Sequence, residues 1–209
     1  MPWFSPAEPA QSLASLVLMS AAVMGSPGPA TISVAASGSA FGIRRTIPYM
    51  AGLVVGTSAV LLAVAVGVGS AMATRPGVAQ LLTYLSAAYV LYLAVRIATA
   101  PPLADAEAGQ HAPSLASGFL LAIANPKAYV AIAAVFAGSR VAIATDGSEA
   151  IVKTLVLTGM IVFIHLAWLF AGSSLSSLLR RPFLSRMVNL AFSAMLLWST
   201  IPLVIPDWP

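Results

Sequence analysis

Apolar residues in this chain fall in long unbroken runs, with neither the strict alternation of a half-buried strand nor the narrow stripe of a surface helix. Six runs can be drawn, at 13–41, 47–73, 78–98, 115–138, 154–173 and 187–205. Each meets the requirement of about 20 mostly apolar residues for a helix that crosses a bilayer. Charges and turn residues lie between them: Gly42-Ile43-Arg44-Arg45, Thr74-Arg75-Pro76-Gly77, Pro101 to Ser114, Ser139 to Lys153 and Arg180-Arg181-Pro182. Strands of a membrane barrel would run for about 10 residues with alternating polarity. The pattern therefore predicts an all-α membrane protein with six transmembrane helices.

Two of the runs are interrupted near their middles. The first carries Gly25-Ser26-Pro27-Gly28-Pro29-Ala30 and the fourth carries Ala124-Asn125-Pro126-Lys127-Ala128. Pro126 follows Pro27 by 99 residues, and Arg181-Pro182 repeats Arg75-Pro76 at a similar offset. Three spans per half is an odd number, so the second half must cross in the opposite sense. That describes an inverted repeat, with residues 13–100 as the first unit and 115–209 as the second. Residues 1–12 are expected to form an N-terminal tail, and 101–114 a cytoplasmic linker. Matching proline-broken segments in two inverted halves are the sequence pointer to a transporter's binding site. The half-helices flanking each break are about 15–18 Å long at 1.5 Å per residue, which puts both breaks near the middle of a hydrocarbon core about 30 Å thick.

Composition narrows the alternatives. Hydrophobic residues make up 59% of the 209 residues and charged ones 8%, too few to coat a soluble fold. The net charge of +4 comes from 10 Lys and Arg against 6 Asp and Glu, with no basic run. It reflects a shortage of carboxylates, and nucleic-acid binding is not expected. There is no Cys, and the two His are far apart, so no metal site or cofactor is expected. The first twelve residues hold no Lys or Arg, which does not fit the positive start of a signal peptide. Arg44, Arg45, Arg96, Arg180, Arg181 and Arg186 lie on one side of the six-span arrangement, against Arg75, Arg140 and Lys153 on the other. The positive-inside rule then places both termini outside.

The chemistry gathers at the breaks. Asn125-Pro126 reads as a helix cap followed by a first-turn proline, and Ser26-Pro27 or Gly28-Pro29 reads the same way. A half-helix starting at each break would aim its free N–H groups and positive dipole end into the protein, which suits a carboxylate. Carbonyls ending the preceding half-helix suit an ammonium. Gly28 would let substrate approach the backbone. Lys127 is the one cation deep in a span. It reads either as partner of a substrate carboxylate or as a cation tying broken carbonyls together. His165 lies mid-span in the fifth run, as a coupling or lining residue or as a neutral His bonded between helices. Ser26, Thr31, Tyr89 and Tyr129 are further lining candidates beside Pro27, Gly28, Pro29, Ala30, Asn125, Pro126 and Lys127. Tyr84 and Tyr92 could line a site or sit in an interfacial belt, and Trp198 and Trp208 read as interfacial anchors. Gly38-x-x-x-Gly42 and Gly52-x-x-x-Gly56 read as packing faces that serve helix contacts within one copy, or in a homodimer. No Asp or Glu lies in any run, and no intramembrane enzyme motif is present.

At Ser26-Pro27-Gly28-Pro29 and Asn125-Pro126-Lys127-Ala128 the chain resembles the LysE/RhtB family of amino-acid exporters. Gly38, Gly42, Arg44, Gly52, Gly56, Ala88 to Leu93 and Arg96 add to the likeness, which covers about residues 10–205. Ala30 stands where many members carry Asn or Asp. The resemblance implies a small inner-membrane protein that exports amino acids or related compounds using the proton gradient. With the breaks as its site, the expected function is secondary transport of a small amino acid or derivative by alternating access. The alternative is an anion channel or anion exporter using the electropositive midplane. The expected partners are a small-molecule substrate and the lipid bilayer.

Overall fold

The computed structural model describes residues 9–67, 76–99, 112–141, 146–174 and 182–204. Most of the tail and of the linker, Arg75, His111, Arg180, Arg181 and Trp208 lie outside the described residues, as do the side chains of Tyr89 and Arg96. The described residues form helices and no strand. In chain order these are α1 (Pro9–Val23), α2 (Pro29–Ala65), α3 (Pro76–Ala98), α4 (Leu115–Ala124), α5 (Pro126–Gly138), α6 (Asp146–Ser174) and α7 (Pro182–Val204). Both sequence breaks fall between helices, at 24–28 and at Asn125.

Helix α2 is 37 residues long but is not straight. Gly42 has φ 78° and ψ 164°, a conformation open essentially to Gly alone. The Tyr49 hydroxyl donates to Ser33 Oγ at 2.9 Å across a separation of 16 residues. A straight helix would hold those residues about 24 Å apart, so the chain doubles back at Gly42 and residues 29–41 pack beside 43–65. Nothing would meet a Cβ on Gly42. It is a turning residue, which corrects its expected role in a packing face.

Five other glycines do seat helices. A Cβ on Gly52 would strike the Leu115 carbonyl, and one on Gly118 the Tyr49 carbonyl, so α4 and the second limb of α2 touch backbone to backbone. Gly56 fits against Phe119 and Ala122 in the same seam. Gly38 meets Leu169 and Gly172 meets Ala35, which seats α6 on the first limb of α2. Such contacts allow close approach where lipid supplies no hydrophobic drive between helices.

One apolar core joins both limbs of α2 with α3, α4 and Leu169. A second joins Leu16, Val60, Leu61, Ile132, Val135, Leu157 and Ile161. Around them Leu18, Val130, Leu155, Phe163 and Phe183 stand exposed while Ser33, Ser37, Asn125 and His165 are buried. An apolar outside over a partly polar inside fits a lipid surround. Two helices are long and apolar enough to cross a membrane, Pro29–Ala65 and Ser148–Ser174. The pair α4–α5, bent by 63° at Asn125, makes a third if taken as one span.

One buried cation ties the start of α6 to the end of α5. Lys153 Nζ pairs with Glu149 at 2.7 Å and donates to the Phe136 carbonyl at 3.0 Å. Glu149 in turn accepts from the Val141 N–H at 3.0 Å.

Candidate functional site

The two breaks, about a hundred residues apart in sequence, meet in space. At the first, α1 ends at Val23 and the limb 29–41 starts anew after Gly28. Pro29 takes the first helical position, where its missing N–H costs nothing. The Thr31 hydroxyl accepts from the Gly28 N–H at 2.9 Å, closing the turn. At the second, Asn125 ends α4 and begins α5. Its side-chain oxygen accepts from the Lys127 N–H at 3.1 Å, and its carbonyl from the Ala128 N–H at 3.0 Å. Two donors expected to face a ligand are therefore already occupied by Asn125 itself.

The carbonyls left bare at the first break are capped by the second half of the chain. Lys127 Nζ donates to the Ser26 carbonyl at 2.8 Å and to the Pro27 carbonyl at 2.6 Å. Trp168 Nε1 donates to the Gly25 carbonyl at 3.0 Å. Of the two roles the sequence left open for Lys127, tying broken carbonyls together is the one seen. An ammonium has three N–H donors, so one remains. A Cβ on Gly28 would lie 2.7 Å from both Lys127 Cδ and Nζ. The absent side chain at Gly28 thus makes room for lysine, where room for substrate was expected.

Beside this clasp lies a cavity of about 450 Å³, open mouth included. Its lining brings together Ser26, Gly28, Ala30, Thr31, Asn125, Lys127 and His165, all expected from the sequence. Pro27 is exposed, Pro29 is buried and Pro126 is half-buried; these three shape the breaks and do not line the cavity. Tyr129 packs on the second core and is also absent from the lining. Tyr84 and Tyr92 are about half exposed, and Trp198 more so.

Sequence reasoning missed Met24, Thr57, Ala128, Ala131, Ile132, Ile161 and Ile164, which complete the wall, and Trp168. A signal for part of this set existed. Ile161, Ile164, His165 and Trp168 recur at helical spacing, so a face holding His165 carries the others with it. A mid-span Trp also needs an acceptor for its N–H, and unwound carbonyls supply one.

His165 is 4% exposed. Its Nδ1 lies 2.8 Å from the Ile161 carbonyl, and its Nε2 has no protein partner. The described residues hold no cluster of His, Asp or Glu suited to a metal ion. The lining combines one cation, hydroxyls, an amide and an imidazole with apolar walls, and carries no carboxylate. It is suited to holding a small polar molecule.

Comparison with known proteins finds relatives of this chain. A protein of Salmonella choleraesuis named cysteine/O-acetylserine efflux protein is 38% identical over 76 residues, 36% of this chain and 38% of that protein. The match to this Salmonella protein thus spans well under half of its length. A protein of the same name from Escherichia coli O139:H28 is 29% identical over 178 residues, covering 84% of this chain and 88% of its own. No solved structure shows a significant match. The family model described as LysE type translocator matches residues 21–205, which include both breaks, the clasp and the whole cavity lining, and the chain belongs to that family.

Proposed function

We propose that this protein is a proton-coupled secondary transporter that exports a small amino acid or derivative across the inner membrane. The observation that carries the reading is the meeting of the two proline breaks at one cavity, with Lys127 of one bound to the carbonyls of the other. Transporters built from inverted repeats place substrate at such a junction of broken helices.

In this reading α1 with residues 29–41 forms the first span and residues 43–65 the second. Helices α3, α4 with α5, α6 and α7 supply the other four. The repeats are 13–100 and 115–209, joined on the cytoplasmic side by 101–114, with both termini outside. The pairing of helices supports an inverted repeat. The first broken span seats α6, and the second broken span seats residues 43–65, the exchange that a two-fold relation between halves requires. Alternating access is then the movement of one repeat against the other.

A zwitterion suits the cavity. The dipole ends of the limb 29–41 and of α5, with the third N–H of Lys127, attract a carboxylate. Thr31, Thr57, Asn125 and His165 offer oxygens and a ring nitrogen to an ammonium. Met24, Ile132, Ile161 and Ile164 leave apolar room for a short side chain. Cysteine and O-acetylserine, named for the relatives, both fit this description.

The test is counterflow in proteoliposomes with labelled cysteine. Uptake that depends on unlabelled internal amino acid, and that is lost in Lys127→Ala, is expected. Uptake that proceeds without an internal pool and at a rate indifferent to a pH gradient would identify a channel. No flux of any amino acid by folded protein would overturn the transporter reading.

A further inference from the structure

His165 presents a chemical asymmetry that the clasp does not use. Its Nδ1 faces the Ile161 carbonyl at 2.8 Å. A carbonyl only accepts, so Nδ1 carries a proton whatever the charge of the ring. All protonation chemistry of this imidazole is therefore confined to Nε2. That atom is buried and has no protein partner, although the ring forms part of the cavity wall. An unpaired buried acceptor is costly, a cost the fold tolerates at this ring nitrogen. Nε2 is covered in this conformation, so a ligand reaches it when the wall moves, as it does in alternating access.

We infer that Nε2 of His165 accepts an N–H of the substrate ammonium in one half of the cycle and binds the counter-transported proton in the other. The inference rests on the transport reading above. One lone pair cannot hold both, so substrate and proton exclude each other. Exclusive occupancy rules out a doubly loaded carrier, and exchange is obligate when the empty carrier does not reorient. The step involves no redox change. A proton from outside binds the lone pair to give imidazolium, is released inside after the carrier reorients, and the substrate then binds from that same inner side and is carried out.

The surroundings add one other charge. Among the described residues lining the cavity, Lys127 from α5 is the sole ionisable group besides His165. The remaining polar lining comes from Ser26, Thr31 and Thr57 on the first half and Asn125 on the second. No carboxylate competes for the proton.

The experiment is binding and counterflow of labelled cysteine between pH 5.5 and 7.5. In the native protein the apparent affinity is expected to fall by up to about tenfold per pH unit as acid titrates the ring, the slope of one-proton competition. His165→Gln keeps an acceptor in place of Nε2 but cannot take up a proton. It is expected to bind about five- to tenfold more weakly, the loss of roughly one hydrogen bond, with an affinity that no longer depends on pH. The two His are His111 and His165. Ring-labelled nitrogen NMR of the His111→Gln protein therefore reads His165 alone, without a variant at the site. Nε2 should titrate while Nδ1 stays protonated, and cysteine should hold Nε2 unprotonated to lower pH. A flat pH profile in the native protein, an unchanged slope in His165→Gln, or an Nε2 indifferent to cysteine overturns the inference while leaving transport standing. Absence of both binding and counterflow in the native protein overturns the transport reading and this inference together.

Discussion

The ammonium of Lys127 lies 2.8 Å from the carbonyl of Ser26, 101 residues earlier in the chain. With the Pro27 carbonyl at 2.6 Å, the contact makes one lysine the cap of a helix end to which it does not belong. Removing it would leave the Pro27 carbonyl without this donor and the Ser26 carbonyl with only the 3.3 Å bond from the Thr31 hydroxyl. Lys127→Ala is expected to lower stability by about 2–4 kcal/mol, from the loss of bonds to a charged donor, and to abolish counterflow. Thermal unfolding in detergent together with the flux assay reads both. Native flux in this variant would show that the clasp is dispensable.

Gly28→Ala tests the same contact from the other side. Gly28 is extended, with φ −172°, so alanine strains no backbone there. Its Cβ would instead meet Lys127 Cδ and Nζ at 2.7 Å and push the ammonium off its carbonyls. Counterflow should drop severalfold. In a Lys127→Ala background, where melting temperature is the readout, the same change should cost nothing further, because the atoms it displaces are gone. Additive losses would mean that Gly28 acts independently of the lysine.

Helix seating predicts a contrast between two glycines. A side chain at Gly52 collides with the backbone of Leu115 and Phe119, which cannot swing aside. Gly52→Val should cost about 3 kcal/mol or more, as overpacking against rigid backbone does. Gly159 on α6 has nothing within 4 Å of a built Cβ. Gly159→Ala should be neutral or stabilise by up to about 1 kcal/mol through helix propensity. Melting temperatures of the two purified variants decide the matter, and equal values would refute the seam.

Gly42→Ala carries a backbone penalty with no steric one. The position holds φ 78° and ψ 164° with open space around it. A cost of about 1–3 kcal/mol is expected, with loss of the fold-back that lets Tyr49 reach Ser33. A wild-type melting temperature for Gly42→Ala would contradict the turn.

The sequence by itself determined the class of molecule, the positions of both breaks and most of the polar lining. Long apolar runs admit little but helices in lipid, since every backbone group there must be satisfied within its own segment. Proline cannot continue a helical ladder, so Pro27, Pro29 and Pro126 marked the breaks without any coordinates. Asn125, Lys127 and His165 stood out because polar groups are scarce in such runs.

Only the tertiary structure decided what those groups face. Whether Lys127 met a ligand or a carbonyl depended on how closely α5 approached residues 26–28, and no local pattern encodes a distance between segments a hundred residues apart. Gly42 and Gly38 share one motif in the sequence, yet one turns the chain and the other seats α6. The difference lies in a backbone angle and in which helix arrives beside it. Trp168 and Thr57 belonged to unremarkable helical faces until packing turned those faces toward the break and the cavity. Local chemistry can be read along a chain, whereas a binding site is a coincidence of surfaces, and it is packing that creates the coincidence.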